Sequence, residues 1–429
     1  MNNKPTLVVS CPVDTYSGYG ARARDFVQSI IDLDKYDVKI LSQRWGNTRF
    51  GYLQDHQNNS LSSRIIPNLT QQPDIWIQVT VPNEFQKVGK YNIGVTAGIE
   101  TTLCDPTWIE GCNRMDLVLV SAQHAKKVFE ESKFNMQDSN TGQITGVVEL
   151  KTKVEVLFEG ADIEKYAPLA WPVKLDLSDI PEMFCFLTVG HWLQGSLGED
   201  RKNIGYTIKA FLETFKNKKD QPALILKIQA GAGTSITDRE VLLDKIDAIR
   251  KTVKGKLPNI YILHGELSDA EMNELYNHGK VRAMVSLTKG EGFGRPLLEF
   301  SLVNKPIIAS GWSGHIDFLD NQFTKQIGGT LTNIHPSAVV DKMLIAQSQW
   351  FTPDDALVGK ALMDVFEDYK PYKELAKRQG YRSRTEFSYD KMRETLDTIL
   401  TQYIPEFPKQ VQLKLPQLKK IELPKLKKI

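Results

Sequence analysis

Short apolar runs alternate with amphipathic stretches along most of the chain. In the first half, strand-like runs fall at Leu7–Cys11, Val38–Leu41, Ile75–Val79, Asn92–Thr96, Leu117–Ser121 and Val154–Phe158. Helical periods lie between several of them, as at Ala21–Leu33 and Gln123–Ser132. In the second half, strands are predicted at Phe184–Val189, Ala223–Gln229, Asn259–Leu263, Ala283–Leu287 and Pro306–Ser310. Helices are predicted between them at about Asn203–Phe215, Asp238–Val253, Ser268–Asn277 and Pro296–Val303. Ser268-Asp-Ala-Glu271 reads as a capping box, which fixes the start of the third of these. Strand, helix, strand repeated in this way gives an α/β chain with parallel sheets covered by helices on both faces. The pattern runs twice, so two Rossmann-like domains are expected, side by side.

The boundary is expected within Tyr166–Pro181, where three prolines interrupt any regular element. That places the first domain at residues 1–170 and the second at 171–385. A late helix, about Ser388–Thr401 within 386–404, follows the second sheet and is expected to dock back toward the first domain. A tail, 405–429, is separate. In it Leu415-Pro-Gln-Leu-Lys-Lys-Ile421 recurs as Leu423-Pro-Lys-Leu-Lys-Lys-Ile429.

Composition sharpens this picture only in places. The 429 residues suffice for two sizeable cores, and 41% apolar with 25% charged residues is ordinary for a soluble globular protein. A net charge of +2 implies no bulk attraction to nucleic acid. The tail is the exception, with seven Lys against two Glu. It reads either as a solvated extension or as a basic, half-apolar peptide making a weak contact with an anionic membrane or a partner protein. Each Lys near an anionic surface contributes about 1 kcal/mol to such a contact. The cysteines, Cys11, Cys104, Cys112 and Cys185, form no C-x-x-C pair and no zinc spacing, which suits a reducing compartment. With no apolar leader at the start and no apolar run of 18 residues, a cytoplasmic protein is expected, at most peripheral to a membrane.

Ligands of open α/β sheets sit at the carboxyl ends of the strands, and three predicted loops there carry chemistry. Ser17-Gly18-Tyr19-Gly20 precedes the first helix, where glycines let backbone approach an anion at a helix N-terminus. A purely structural turn is an equal reading. Asp200-Arg201-Lys202-Asn203 puts two cations at a helix start, which the helix dipole disfavours unless an anion sits between them. Arg supplies a bidentate fork and Lys a point charge, a pairing that suits a diphosphate. The alternative is a solvated charge pair. Lys289-Gly-Glu291-Gly-Phe-Gly-Arg-Pro-Leu-Leu-Glu299 joins a strand to a helix. Its glycines expose N–H groups, and its two carboxylates, with Glu299 in the first helical turn, are expected to face one crevice. Each carboxylate can accept both hydroxyls of a diol. The alternative is a glycine turn followed by a Glu that complements the dipole.

The third motif, followed by Asn304-Lys-Pro-Ile-Ile-Ala-Ser310 and Gly311-Trp-Ser-Gly-His315, resembles the retaining GT-B glycosyltransferases of family 4. Val154–Asp162 resembles the segment that closes their first domain, and Arg201-Lys202-Asn203 their basic loop. Gly98–Thr102, with Trp108 and Met115-Asp116, resembles the acceptor-side loop of one branch. The resemblance spans residues 1 to about 400. It implies two Rossmann-like domains facing each other across a cleft, and sugar transfer from a nucleotide diphosphate sugar, UDP- or GDP-linked, to a hydroxyl of a glycan, a lipid-linked or a protein acceptor, with no cofactor.

By this resemblance Glu299 holds the ribose hydroxyls and Glu291 touches the donor sugar. Backbone N–H groups of Gly292, Phe293, Gly294 and Arg295 meet sugar and phosphates. Lys202, helped by Arg201, neutralises the leaving diphosphate, and Gly18, Tyr19 and Gly20 close over the phosphates from the other domain. Two positions depart from the pattern. Gly190-His191 stands where many members have Gly-Arg, and Glu100 stands where many have His. His191 supplies the same charge only when protonated. No Asp-x-Asp falls at a strand end, since Asp32-Leu-Asp34 closes a helix, so a required metal is not expected. The cleft is expected to close on the donor with Tyr166–Pro181 as a hinge. A non-catalytic nucleotide-sugar or glycan-binding protein and a nucleotide-sugar epimerase remain rival readings. A dinucleotide oxidoreductase is disfavoured, because no G-x-G-x-x-G opens a helix after the first strand.

Overall fold

The computed structural model describes residues 4–138, 140–170, 173–193, 195, 197–231 and 235–407. Two six-stranded, wholly parallel sheets carry its cores. The first is built from β1 (Thr6–Cys11), β2 (Asp37–Ser42), β3 (Ile75–Val79), β4 (Tyr91–Thr96) and β5 (Leu117–Val120). A separate antiparallel hairpin, β6 (Phe134–Gln137) and β7 (Ile144–Val148), precedes its last strand, β8 (Val154–Val156). The strand order is β2-β1-β3-β4-β5-β8. The second sheet comprises β9 (Cys185–His191), β10 (Ala223–Gln229), β11 (Ile260–Ile262), β12 (Val281–Ser286), β13 (Ile307–Ser310) and β14 (Lys325–Ile327), in the order β11-β10-β9-β12-β13-β14.

Alternate residues of each strand feed opposite faces. In the first domain Leu7, Val9, Ile75, Ile77, Ile93 and Val95 pack with Phe26, Val27 and Ile30 of the Gly18–Asp32 helix. Val8, Trp76, Val118 and Val120 pack on the other side with Trp108, Ile109 and Phe129. The second domain repeats this plan. Phe186, Leu224 and Val285 meet the Ile204–Phe215 and Ile236–Thr252 helices, while Leu187, Ile225 and Met284 meet Leu275, Leu298 and Phe300. Burial on both faces is why these strands read as mostly apolar runs rather than as strict alternation. The capping box at Ser268 and Glu271 is present.

Some elements lie beyond the sequence reading. Two helices, Asp355–Glu367 and Tyr369–Glu386, follow the second sheet. Before them an antiparallel pair, β15 (Gly329–Asn333) and β16 (Gln349–Pro353), leaves the second domain and reaches the first. There Thr102 N–H donates to Gln349 O at 2.9 Å, and Trp108 Nε1 donates to Lys342 O at 2.7 Å. The late helix spans Tyr389–Tyr403 and inserts Met392, Leu396, Ile399 and Leu400 into the first domain's core. Tail residues 408–429, and 171–172 of the proline-rich boundary, lie outside the described residues. Among those described, no helix is long and apolar enough to cross a membrane. All four cysteines are free and buried.

Candidate active site

The loops that leave β4, β5, β9 and β12 meet where the two domains touch. Contact there is backbone to backbone. A Cβ placed on Gly290 would lie 2.1 Å from Glu100 O, and one on Gly292 would lie 3.1 Å from Ala97 O. Ser121 Oγ donates to Gly292 O at 3.2 Å across the same seam. Only glycine permits so close an approach at Gly290. The seam and the β15–β16 contact on Thr102 and Trp108 both join the domains.

Four charged groups converge at this seam. Lys202 Nζ donates to both oxygens of Glu291, at 2.7 and 2.9 Å. Arg201 Nη1 donates to Gly290 O at 2.8 Å and lies 3.4 Å from Glu291 Oε2 and 3.4 Å from Glu100 Oε1. The local sequence sets this up. Asn203 takes a left-handed conformation, φ 58°, and its Nδ2 donates to Leu287 O at 3.0 Å, while Lys289 N–H donates to Arg201 O at 2.8 Å. The basic loop is thereby stitched to the glycine loop. Glu291 is held by Ser313, whose Oγ accepts its N–H at 2.8 Å. Burial would raise the Glu291 carboxyl, but Lys202 and Arg201 outweigh it and hold it at about 2. Two cations and two carboxylates neutralise one another here.

His191 ends β9 beside this cluster, with Gly190 against the Lys202 stem. Burial, then Lys202 and Arg201, lower the His191 imidazole to about 3. It is therefore neutral near pH 7, so the condition on which this position would carry a charge is not met there, and Arg201 and Lys202 are left as the cations. Phe293 points its ring into the core against Phe318, which leaves only its backbone to a ligand.

Glu299 falls in the second turn of the Arg295–Ser301 helix, not the first as expected, because the helix begins at Arg295 behind a left-handed Gly294, φ 97°. Its partner is Arg295, whose Nε donates to Glu299 Oε1 at 3.0 Å. Burial pushes its carboxyl up to about 7, with Arg295 opposing. Glu291 and Glu299 thus belong to two adjoining ion clusters at either end of the glycine loop.

The first loop is a helix turn. The helix starts at Gly18, and Ser17 Oγ accepts Gly20 N–H at 2.9 Å, so that N–H is already used by the cap. A Cβ on Gly20 would lie 2.3 Å from Thr15 O, which makes this glycine a packing requirement. Tyr19 stacks on Trp45 with centroids 3.9 Å apart, and its hydroxyl accepts Ala97 N–H at 3.1 Å. It braces the loop that carries Glu100. Gly18 alone of the three has open space above it.

Residues given no role from the sequence also shape the site. Asp200 is buried with Oδ1 unpartnered, and burial raises its carboxyl to about 6. His315, fully buried, shares Nε2 with Ser310 O at 2.6 Å. Asp25, from the first helix, lies 2.6 Å from Arg295. Among the described residues no group of three or more His, Cys, Asp or Glu side chains converges as a metal site.

No protein-family model and no curated protein matches the sequence. Solved structures do match in shape. A glycosyltransferase from Rickettsia africae superposes with a TM-score of 0.61 at 13% identity, covering 94% of this chain and 99% of that one. Sucrose-phosphate synthase from Thermosynechococcus elongatus gives 0.58 at 11%, covering 93% and 98%. The fold is GT-B. Anabaena HepE in complex with UDP-glucose gives 0.57 at 14%, covering 93% and 100%. At such identities the likeness is one of fold, and in this GT-B chain chemistry must be argued from its own side chains.

Proposed function

We propose that this chain is a glycosyltransferase that moves a sugar from a nucleotide diphosphate sugar to an acceptor hydroxyl, with retention of anomeric configuration and without a metal. The observation that carries the reading is the Lys202–Glu291–Arg201–Glu100 cluster at the seam of a GT-B fold. A nucleotide diphosphate competes for Lys202 and Arg201, drawing them off Glu291 and Glu100. Glu291 is then free to accept donor-sugar hydroxyls. Glu299 takes the ribose diol. As the glycosidic bond breaks, charge builds on the diphosphate, where fixed cations and the N–H groups of the 292–295 loop are most effective; one such donor is worth about 3–4 kcal/mol. The HepE complex with UDP-glucose supports a uridine donor as the first to try. The acceptor is a glycan, a lipid-linked or a protein hydroxyl, and the setting is cytoplasmic, with the tail as a weak membrane or protein contact.

The test is release of free nucleotide from UDP- and GDP-sugars, with and without candidate acceptors, in buffer containing a chelator. Acceptor-dependent release that survives the chelator is expected. Binding without release identifies a non-catalytic binder, and donor conversion without acceptor identifies an epimerase. Either outcome refutes transfer.

A further inference from the structure

Arg295 touches both domains. Its Nη1 donates to Asp25 Oδ2 at 2.6 Å, and its Nε donates to Glu299 Oε1 at 3.0 Å. Asp25 sits on the Gly18–Asp32 helix of the first domain, 270 residues away in sequence. Glu299 lies one turn along the helix that Arg295 begins. An Arg followed by Glu four residues later is the weaker orientation of such a pair, worth a few tenths of a kcal/mol at most on an open helix. Something else must hold the guanidinium.

Asp25 does so. A guanidinium is a rigid planar fork, so fixing one N–H direction fixes the others. Behind it, Arg22 donates to Glu159 at 3.2 Å and to Leu157 O at 3.2 Å. The cavity among Arg22, Asp25, Glu159 and Arg295 is only about 10 Å³, so Arg295 has no room to swing inward. Arg295 is the cation that acts on Glu299. Asp269 and Asp25 oppose its ionisation, while Tyr276, its hydroxyl kept protonated by burial, is a neutral hydrogen-bond partner of the carboxyl. Lys165 is engaged with Asp269 at 3.4 Å.

We propose that Asp25 is a positioning residue for nucleotide binding: from across the cleft it holds Arg295, and through Arg295 it aims the Glu299 carboxylate at the ribose diol. This rests on Glu299 as ribose ligand under the function proposed above. The consequence is that ribose recognition in the second domain depends on a side chain of the first.

The full chain is titrated calorimetrically with UDP, GDP and ADP, and the tightest is compared with its 2′-deoxy form. The wild type prefers the ribonucleotide by about tenfold or more, the size of a hydrogen bond to a charged group. In Asp25→Ala the preference falls to about twofold or less, and Asp25→Glu restores part of it. Arg295→Ala gives the same loss, and adding Asp25→Ala to it changes the preference no further. Asp25→Asn, which keeps the side-chain shape, replaces the alanine variant if that one does not fold. A merely structural role for Asp25 would weaken both nucleotides equally. If no nucleotide binds, or the wild type ignores the 2′-hydroxyl, the reading of Glu299 fails. If the wild type discriminates and the Asp25 variants discriminate as well, Asp25 has no positioning role.

Discussion

Replacing Lys202 by methionine removes a side chain that grips both oxygens of Glu291. The two side chains are 13% and 8% exposed, so water cannot take over the lost contacts. The fall of the Glu291 carboxyl from its ordinary 4.5 to about 2 corresponds to about 3 kcal/mol in favour of the ionised form. Severing a buried pair typically costs about 3–5 kcal/mol, because it strands a charge. Arg201, at 3.4 Å and shared with Glu100, keeps part of the opposing charge but cannot replace the bidentate contact. Lys202→Met should therefore be less stable by about 3 kcal/mol at pH 7. In the wild type this stabilisation is complete above pH 4.5 and is lost as pH falls toward 2. In the variant, Glu291 takes up its proton at a higher pH, so the deficit narrows on acidification. Adding Glu291→Gln removes the stranded charge and should return the double variant toward wild-type stability. Urea unfolding of the single and double variants from pH 7 downward reads all of this. A single variant as stable as wild type at pH 7, or a double variant no better than the single, would mean that the Lys202–Glu291 pair does not carry this stability.

Turnover by Lys202→Ala should fall at least about a hundredfold, as for loss of one transition-state donor, measured under saturating donor. Glu299 offers both oxygens as acceptors to a diol when ionised and loses part of that capacity on protonation; its carboxyl lies near 7, so donor kcat/KM should fall as pH drops through about 7 and recover above it. In Glu299→Gln that inflection should vanish along with at least about a hundredfold of the rate. Gly290→Ala puts a Cβ 2.1 Å from Glu100 O, a backbone atom that cannot yield. It should lower thermal stability by about 1–3 kcal/mol and misalign Glu100 with Arg201, checked by calorimetry and by loss of transfer.

The sheets were legible because both of their faces are buried, which leaves mostly apolar runs such as Ile75–Val79 and Ala223–Gln229. Short or exposed strands give no such run. Lys325-Gln-Ile327 is three residues, and Ile144–Val148 keeps Ile144 and Val147 exposed. The Asp355–Glu367 helix did leave a signal, an Asp354 cap followed by apolar Val358, Ala361, Leu362 and Val365 at helical spacing. Arg201, Lys202, Glu291 and Glu299 could be picked out because charge beside glycine at a strand end is locally unusual. That Lys202 grips Glu291, and that Arg295 reaches Asp25, is written in no local pattern, since these pairs are 89 and 270 residues apart. Gly20 looked like ligand space but is filled by its own turn, and Ser17 as a cap was the overlooked sign.

The Tyr389–Tyr403 helix has a consequence for biosynthesis. Leu396 and Leu400 pack in one cluster with Leu7, Val9 and Ile30, which are made far earlier. On the ribosome the first sheet thus emerges with one greasy flank only partly covered, by the Gly18–Asp32 helix, and must wait for nearly four hundred residues before that cover is complete. Premature termination would release a chain whose opening half cannot finish folding, and such intermediates aggregate.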